Sequence, residues 1–264
     1  MRISLPMYNL PEMQPANTAF WQALRTELAL PGLPEAPDFA RPPVPPGIEA
    51  DTFFTQVCGW PLQTIYAGQA RLLGMPAYTA PHCAGASHAG VFIVARNSAY
   101  TTLESLRGCR FVFNSLNSNS GMNLPRRALA GIGARAAFFG SITETHSQPG
   151  NIQRVAAGEA DATCVDCVTY AFFQRHRPAV AEHTRILAAT ASTPSIPFVT
   201  AAATPEPMVT ALQAALFRVA RAPRWAAARA GLMLADILPP DPAAYAAQLA
   251  CTQEAAALGY PVLT

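Results

Sequence analysis

From Val91 to Arg175 the chain alternates short apolar runs with stretches of helical periodicity, and this alternation limits the fold most narrowly. Val91-Phe92-Ile93-Val94 is a continuous apolar run, as in a strand covered on both faces. The pattern then predicts a helix at 103–106, a strand at 110–114, a helix at 122–130, a strand at 137–142, a helix at 152–157, a strand at 162–165 and a helix at 168–175. Strand and helix units of that length predict an α/β fold with mainly parallel sheets and helices on their faces. Upstream, the sequence predicts strands at 3–8, 53–57 and 72–78 and a helix at 17–30. Prolines 31, 34, 37, 42, 43, 45 and 46 exclude helix and central strand and predict an extended connection. Downstream come a strand at 185–189 and alanine-rich helices at about 207–221, 226–234 and 242–258.

Within the alternating region, Phe111-Val112-Phe113 leads into Asn114-Ser115-Leu116-Asn117-Ser118-Asn119-Ser120-Gly121-Met122. An apolar strand that breaks into small hydroxyl and amide residues before a helix makes an anion cup. The first helical turn has backbone N–H groups without intrahelical acceptors, and the helix dipole makes that end positive. Ser118, Asn119 and Ser120 add side-chain donors, although, taken alone, a helix cap at Asn119 or Ser120 is the better reading of this turn.

Composition removes competing classes. The 264 residues are 51% hydrophobic and 13% charged, enough to bury a large core. A net charge of +2, with basic residues scattered, excludes the basic stripe of a nucleic-acid binder. All 18 basic residues are arginine, so neither a Schiff-base lysine nor a Walker-type phosphate lysine is available. No apolar stretch reaches the roughly 20 residues of a membrane span. The opening Met1-Arg2-Ile3-Ser4-Leu5-Pro6 has no apolar centre of a signal peptide, which on its own predicts a cytoplasmic chain.

In an open parallel sheet, ligands sit beyond the carboxyl ends of the strands. Tyr8, Gln56, Tyr78, the Ser118–Gly121 turn, Thr143, Thr145, His146 and Asp166 follow or end predicted strands. Hydroxyls, amides and one histidine suit reversible capture of an oxyanion by many modest hydrogen bonds. Asp166 has no acidic partner at a neighbouring strand end, which disfavours hydrolysis and leaves no catalytic residue to name. Plainer roles stand beside these: packing for Tyr8 and Tyr78, and helix capping for His146 with Ser147 and for Asp166.

Cys164 and Cys167 form a lone Cys-x-x-Cys without the second pair that a zinc site needs, so packing is the expectation and neither metal nor cofactor is called for. Cys58 and Cys83, both in loops after strands, are a candidate disulfide.

In order along the chain stand Met7-Tyr8, Gln56-Val57-Cys58-Gly59-Trp60-Pro61, Leu106-Arg107-Gly108, Asn114 with Ser118-Asn119-Ser120-Gly121, Thr145-His146-Ser147, the run from Ala156 to Ala162, and Val165-Asp166. Together they resemble the phosphate/phosphonate-binding proteins of ABC importers, over most of the chain up to about Thr200. The resemblance implies a two-lobe type II periplasmic-binding-protein fold, each lobe a mainly parallel sheet flanked by helices. It implies two hinge crossings near Val91–Val94 and Arg185–Ala189, with lobe 1 formed by residues 1–90 and 190–264 and lobe 2 by 91–189. By that similarity Ser118, Asn119, Ser120 and Gly121 hold the oxyanion in an interlobe cleft and His146 donates to it. Asp166 faces the ligand's other end, where phosphonate binders meet an amine, and Tyr8, Gln56 and Tyr78 line the opposite lobe. The implied partners are a phosphate- or phosphonate-like anion and an ABC-transporter permease, for a monomer acting in the periplasm. Departures stand at His88 and Gly90, where relatives tend to carry a tyrosine and a serine, and at Glu144, where a glycine often precedes the histidine motif. They alter one wall of the cleft. The other reading is a cytosolic enzyme or sensor on the same scaffold, acting on a small phosphorylated metabolite.

Overall fold

A computed structural model describes residues 1–43 and 47–264; Pro45 and Pro46 of the proline-rich connection lie outside the described residues. Its strands are β1 (Arg2–Ile3), β2 (Thr52–Gln56), β3 (Ala70–Tyr78), β4 (Ser87–His88), β5 (Gly90–Ala95), β6 (Arg110–Phe113), β7 (Ser141–Glu144), β8 (Ala162–Asp166), β9 (Thr184–Ala189), β10 (Thr193–Pro194), β11 (Phe198–Ala201) and β12 (Leu234–Leu238). Its helices are α1 (Gln14–Leu28), α2 (Gly59–Gln63), α3 (Leu124–Gly131), α4 (Gln148–Ala156), α5 (Cys167–His176), α6 (Pro178–Ala181), α7 (Glu206–Arg221), α8 (Ala226–Gly231), α9 (Pro242–Ala246) and α10 (Gln248–Ala257). The chain divides into two compact units. The first holds Met1–Thr79, Ala84–Ser87 and Pro194–Tyr245; the second holds Ala80–Cys83, His88–Thr193 and Ala246–Thr264.

The sheet of the first unit runs β1-β2-β11-β3-β12. Only β1 and β2 pair parallel; β11 lies antiparallel to both β2 and β3, and β12 antiparallel to β3. Phe20 and Trp21 of α1 stack on Phe198 and Phe54, and this aromatic layer fills the space between helix and sheet. On another side Val57, Leu62, Tyr66, Val199 and Tyr245 pack together.

The sheet of the second unit runs β7-β6-β8-β5-β9. Here β6 pairs parallel with β7 and β8, while β5 pairs antiparallel with β8 and β9. Both sheets are therefore mixed rather than mainly parallel: the returning strands β5, β9, β11 and β12 run against their neighbours. Asp161 clasps the start of β6 to the start of β8. Its carboxylate takes the Arg110 backbone N–H (2.7 Å) and Nη2 (2.8 Å), while Arg110 also reaches the Gly158 and Glu159 carbonyls. The Gly158-to-Ala162 motif is thus a structural clasp, and Gly158 sits at φ +75°, which glycine adopts without strain.

Several boundaries differ from the sequence expectations for identifiable reasons. The strand expected at 137–142 begins only at Ser141, because Ala137 takes a left-handed φ of 58° and the Phe138 and Phe139 N–H groups donate to the Thr264 carbonyl. The helix expected at 226–234 stops at Gly231; Met233 turns left-handed and Leu234–Leu238 becomes an edge strand. Val91–Val94 of β5 and Arg185–Ala189 of the edge strand β9 pair within the second unit, and the chain passes between units at 79/80, 83/84, 87/88, 193/194 and 245/246. Ala246–Thr264 packs with the second unit, where α10 lies against α3 and Arg126 Nη1 donates to the Pro261 carbonyl (2.7 Å).

Candidate oxyanion site

The three parallel strands β6, β7 and β8 end side by side, and the residues that follow them carry the chemistry. After β6, Ser118 takes an extended conformation and its Oγ accepts from the Gly121 N–H (3.0 Å), a serine N-cap. The next five residues, Asn119–Asn123, form a π turn that runs into α3. Pro125 lacks the N–H that an α-helical bond back to Gly121 would need, and the wider register accompanies it. The first helical bond is Asn123 N–H to the Ser118 carbonyl (3.1 Å). The N–H groups of Asn119, Ser120 and Met122 therefore precede any intrahelical acceptor.

This turn is held from behind by a buried polar chain. Asn119 Nδ2 donates to Thr193 Oγ1 (3.2 Å), Asn123 Nδ2 donates to Asn119 Oδ1 (3.1 Å), and Arg126 Nη2 donates to Asn123 Oδ1 (2.9 Å). Asn119 is thus a positioning residue for the turn, its side chain committed at both ends. Gly121 is required by space: a Cβ there would stand 1.9 Å from Asn114 Oδ1. Gly90 plays the same part opposite, since a Cβ would meet Cys164 Sγ and the Ser120 carbonyl, each at 3.1 Å.

After β7 the chain delivers a residue that the sequence reading did not single out. Gln148, first residue of α4, donates from Nε2 to Ser120 Oγ (3.0 Å) and accepts the Asp166 N–H on Oε1 (2.9 Å). It joins the serine turn to the end of β8. Its signal in the sequence is weak: a bifunctional amide one residue past the Ser147 cap, at a strand's carboxyl end.

Asp166 is fully engaged. One carboxylate oxygen accepts from Val168 N–H (2.7 Å) and Thr169 N–H (3.1 Å), capping α5. The other lies 2.5 Å from His88 Nδ1, in a pair whose side chains are only 1% and 2% exposed. Burial alone would push the His88 pKa down, but the Asp166 carboxylate prevails and leaves it above the ordinary value. The capping role is the one the structure displays, and His88, seen in the sequence only as a departure, is its partner.

His146 stands in the segment between β7 and α4. Its side chain is 78% exposed, its backbone is left-handed at φ 62°, and its Nδ1 lies 3.8 Å from Glu144 Oε1. In the first unit, Tyr8, Gln56 and Tyr78 do come together: the two tyrosine rings meet edge to face at 5.4 Å, and Gln56 Nε2 donates to Tyr78 Oη (3.3 Å).

A strand-end serine turn with N–H groups ahead of the first helical bond suits an anion in many unrelated proteins, and comparison narrows the reading. The sequence profile of a family described as ABC transporter, phosphonate, periplasmic substrate-binding protein matches residues 66–245, more than half of the chain. The chain belongs to this phosphonate-binding family. No curated protein matches the sequence significantly. Among solved structures, PhnD1 from Prochlorococcus marinus in complex with methylphosphonate superposes with a TM-score of 0.72 at 13% identity, over 96% of this chain and 97% of that one. A binding component of an ABC phosphonate transporter from Pseudomonas aeruginosa gives 0.70 at 13% identity, over 97% of both chains. XAC2383 from Xanthomonas citri bound to ATP gives 0.66 at 16% identity, again over 97% of both. At these identities the likeness establishes the two-lobe type II periplasmic-binding fold, and the family assignment makes the chain a transport substrate-binding protein that captures a phosphonate-like solute for import.

Proposed function

We propose that this member of the family captures a small phosphonate-type oxyanion that carries no cationic group, methylphosphonate or inorganic phosphate being representative, in the periplasm, for hand-over to an ABC importer. The observation that carries the reading is the π turn at Asn119–Asn123, which leaves three backbone N–H groups ahead of the first helical bond. Ser118 precedes them, Ser120 is among them, and Gln148 orients the Ser120 hydroxyl. Several aligned N–H donors at a helix start hold a tetrahedral anion without a charged partner.

The absence of a cation on the ligand follows from Asp166. A ligand ammonium needs an available carboxylate, and the one linked to this turn through Gln148 is occupied by two backbone N–H groups and His88. Tyr8, Gln56, Tyr78 and His146 remain part of the proposal as secondary ligand contacts, the first three because they form one polar-aromatic cluster.

Calorimetric titration of the purified chain with methylphosphonate, phosphate, phosphite, sulfate and 2-aminoethylphosphonate tests the reading. Saturable binding of methylphosphonate or phosphate, weaker binding of the aminated compound, and loss of binding in the Ser118→Ala/Ser120→Ala double variant are expected. Retained affinity in that variant, or preference for 2-aminoethylphosphonate, would overturn the site or the ligand class respectively.

A further inference from the structure

We propose that Cys83 and Cys167 are a redox pair that closes to a disulfide, tying the short Ala80–Cys83 segment to the first turn of α5. The two Sγ atoms are 3.5 Å apart, already in contact, against a bonded distance of about 2 Å. Each backbone is anchored by a hydrogen bond: Cys83 N–H donates to the Ala80 carbonyl (3.2 Å) and Cys167 N–H to the Ala89 carbonyl (3.0 Å). The Cys167 thiol also faces the His82 carbonyl at 3.7 Å. Neither the Cys58–Cys83 pairing suggested by loop position nor the Cys164-x-x-Cys167 spacing describes this contact. Cys58 belongs to the other unit, and Cys164 is buried in β8 against Gly90.

The two thiols are unequal in a way that orders the chemistry. Cys83 is half-buried, so an external reagent can reach it; Cys167 is buried. The hydrogen bond with Cys83 foremost, then burial and the Asp166 carboxylate, hold the Cys167 thiol far above the ordinary range. The co-reactant is a small disulfide or an accessible protein disulfide, written RSSR. The Cys83 thiolate attacks one sulfur of RSSR, the S–S bond breaks, and RS⁻ leaves with the electron pair and takes up the proton that Cys83 gave. The mixed disulfide removes the Cys83 thiol that most restrains Cys167. The Cys167 thiolate then attacks the Cys83 sulfur and expels the second RS⁻, which takes the second proton. The protein loses two electrons and two protons and RSSR becomes two RSH. A periplasmic substrate-binding family meets oxidising surroundings where such reagents are present.

The consequence lies in where the bond falls. Thr79 and Ala84, on either side of the Cys83 segment, belong to the first unit, whereas the segment and α5 belong to the second. The disulfide therefore pins a passage of the chain beside the His88–Asp166 pair.

Incubation of the full chain with oxidised glutathione, followed by thiol counting in denaturant and mass mapping of linked peptides, tests this independently of any ligand. Loss of two of the six thiols, a mass lower by two hydrogen atoms, and a Cys83–Cys167 linked peptide that dithiothreitol releases are expected. Cys164→Ser should behave as the parent chain, and Cys83→Ser should yield no internal linkage. Six thiols remaining, a persistent glutathione adduct on the parent chain, or a link through another cysteine overturns the proposal; the parent chain's linkage map decides even if a variant fails to fold.

Discussion

His88 Nδ1 faces Asp166 Oδ2 at 2.5 Å in the interior of the second unit, and this pair couples the entry of β5 to the cap of α5. Because the folded-state pKa of His88 is raised, the stability that protonation contributes is complete below its ordinary value of 6.5 and is lost as pH rises through the folded value. The charges facing the imidazole are Asp166 and, when ionised, Cys167. A melting series between about pH 5 and about pH 9 should show the parent chain losing stability toward the alkaline end. His88→Gln should be less stable by about 3 kcal/mol at the acid end, since removing one partner strands a buried carboxylate, and should show a flatter profile. An equally steep alkaline loss in the variant would refute the assignment.

Gly121→Ala puts a methyl group on top of the Asn114 amide and against Ser118 Oγ, at 1.9 and 3.0 Å before relaxation. We expect a loss of about 1–3 kcal/mol by chemical denaturation, as for other overpacked sites, together with weaker anion binding because the cap is displaced. Unchanged denaturation midpoints would show that the turn yields easily.

Gln148→Glu keeps an acceptor for the Asp166 N–H but removes the donor to Ser120 and sets a negative charge beside the turn. Oxyanion affinity should fall at least about tenfold, or about 1.4 kcal/mol, in calorimetry, with the melting temperature of the ligand-free chain little changed. Undiminished affinity would place the anion elsewhere.

Glu27 supplies a test of the first unit alone. Hydrogen bonds from Trp225 Nε1 (2.6 Å) and from Arg224, then Arg218, hold its carboxyl at a pKa of about 2, against the opposing effect of burial. A lowered carboxyl pKa contributes stability that is present above 4.5 and is lost as pH falls toward 2. Glu27→Gln should lower the melting temperature by a few degrees at neutral pH, and the difference from the parent should shrink on acidification. A constant difference across that range would argue against the ionised contact.

The alternation that begins at Val91 made the second unit readable, because a strand buried on both faces and a helix with one apolar stripe have distinct periods. The positions of the Ser118 turn and of Asp166 at strand ends followed from the same pattern. Pairing partners were not readable in this way. Phe198–Ala201 is too short to distinguish from its flanks, and Leu234–Leu238 continues an alanine-rich helix without a break until Met233 turns left-handed. The candidate site was legible where a backbone motif makes it, in the Ser118–Gly121 turn, although the cap falls at Ser118 and not at Asn119 or Ser120, and illegible where a long-range contact does. His88 and Gln148 acquire their roles from Asp166, 78 and 18 residues away in the chain, and the local signal is weak at Gln148 and gives no partner for His88.

The central place of β11 in the first sheet bears on how the protein must assemble. Thr52–Gln56 and Ala70–Tyr78 run in the same direction, each hydrogen-bonded to Phe198–Ala201, so they are emplaced with one strand's width between them. Synthesis makes both of them, with α2 as a ready crossover, long before the third arrives. Direct lateral association of the early two would be a plausible-looking βαβ unit and a dead end, sealing the slot meant for the latecomer. Productive maturation of this unit therefore waits on a gap being kept open while the strands of the second unit's sheet, β5 through β9, are translated.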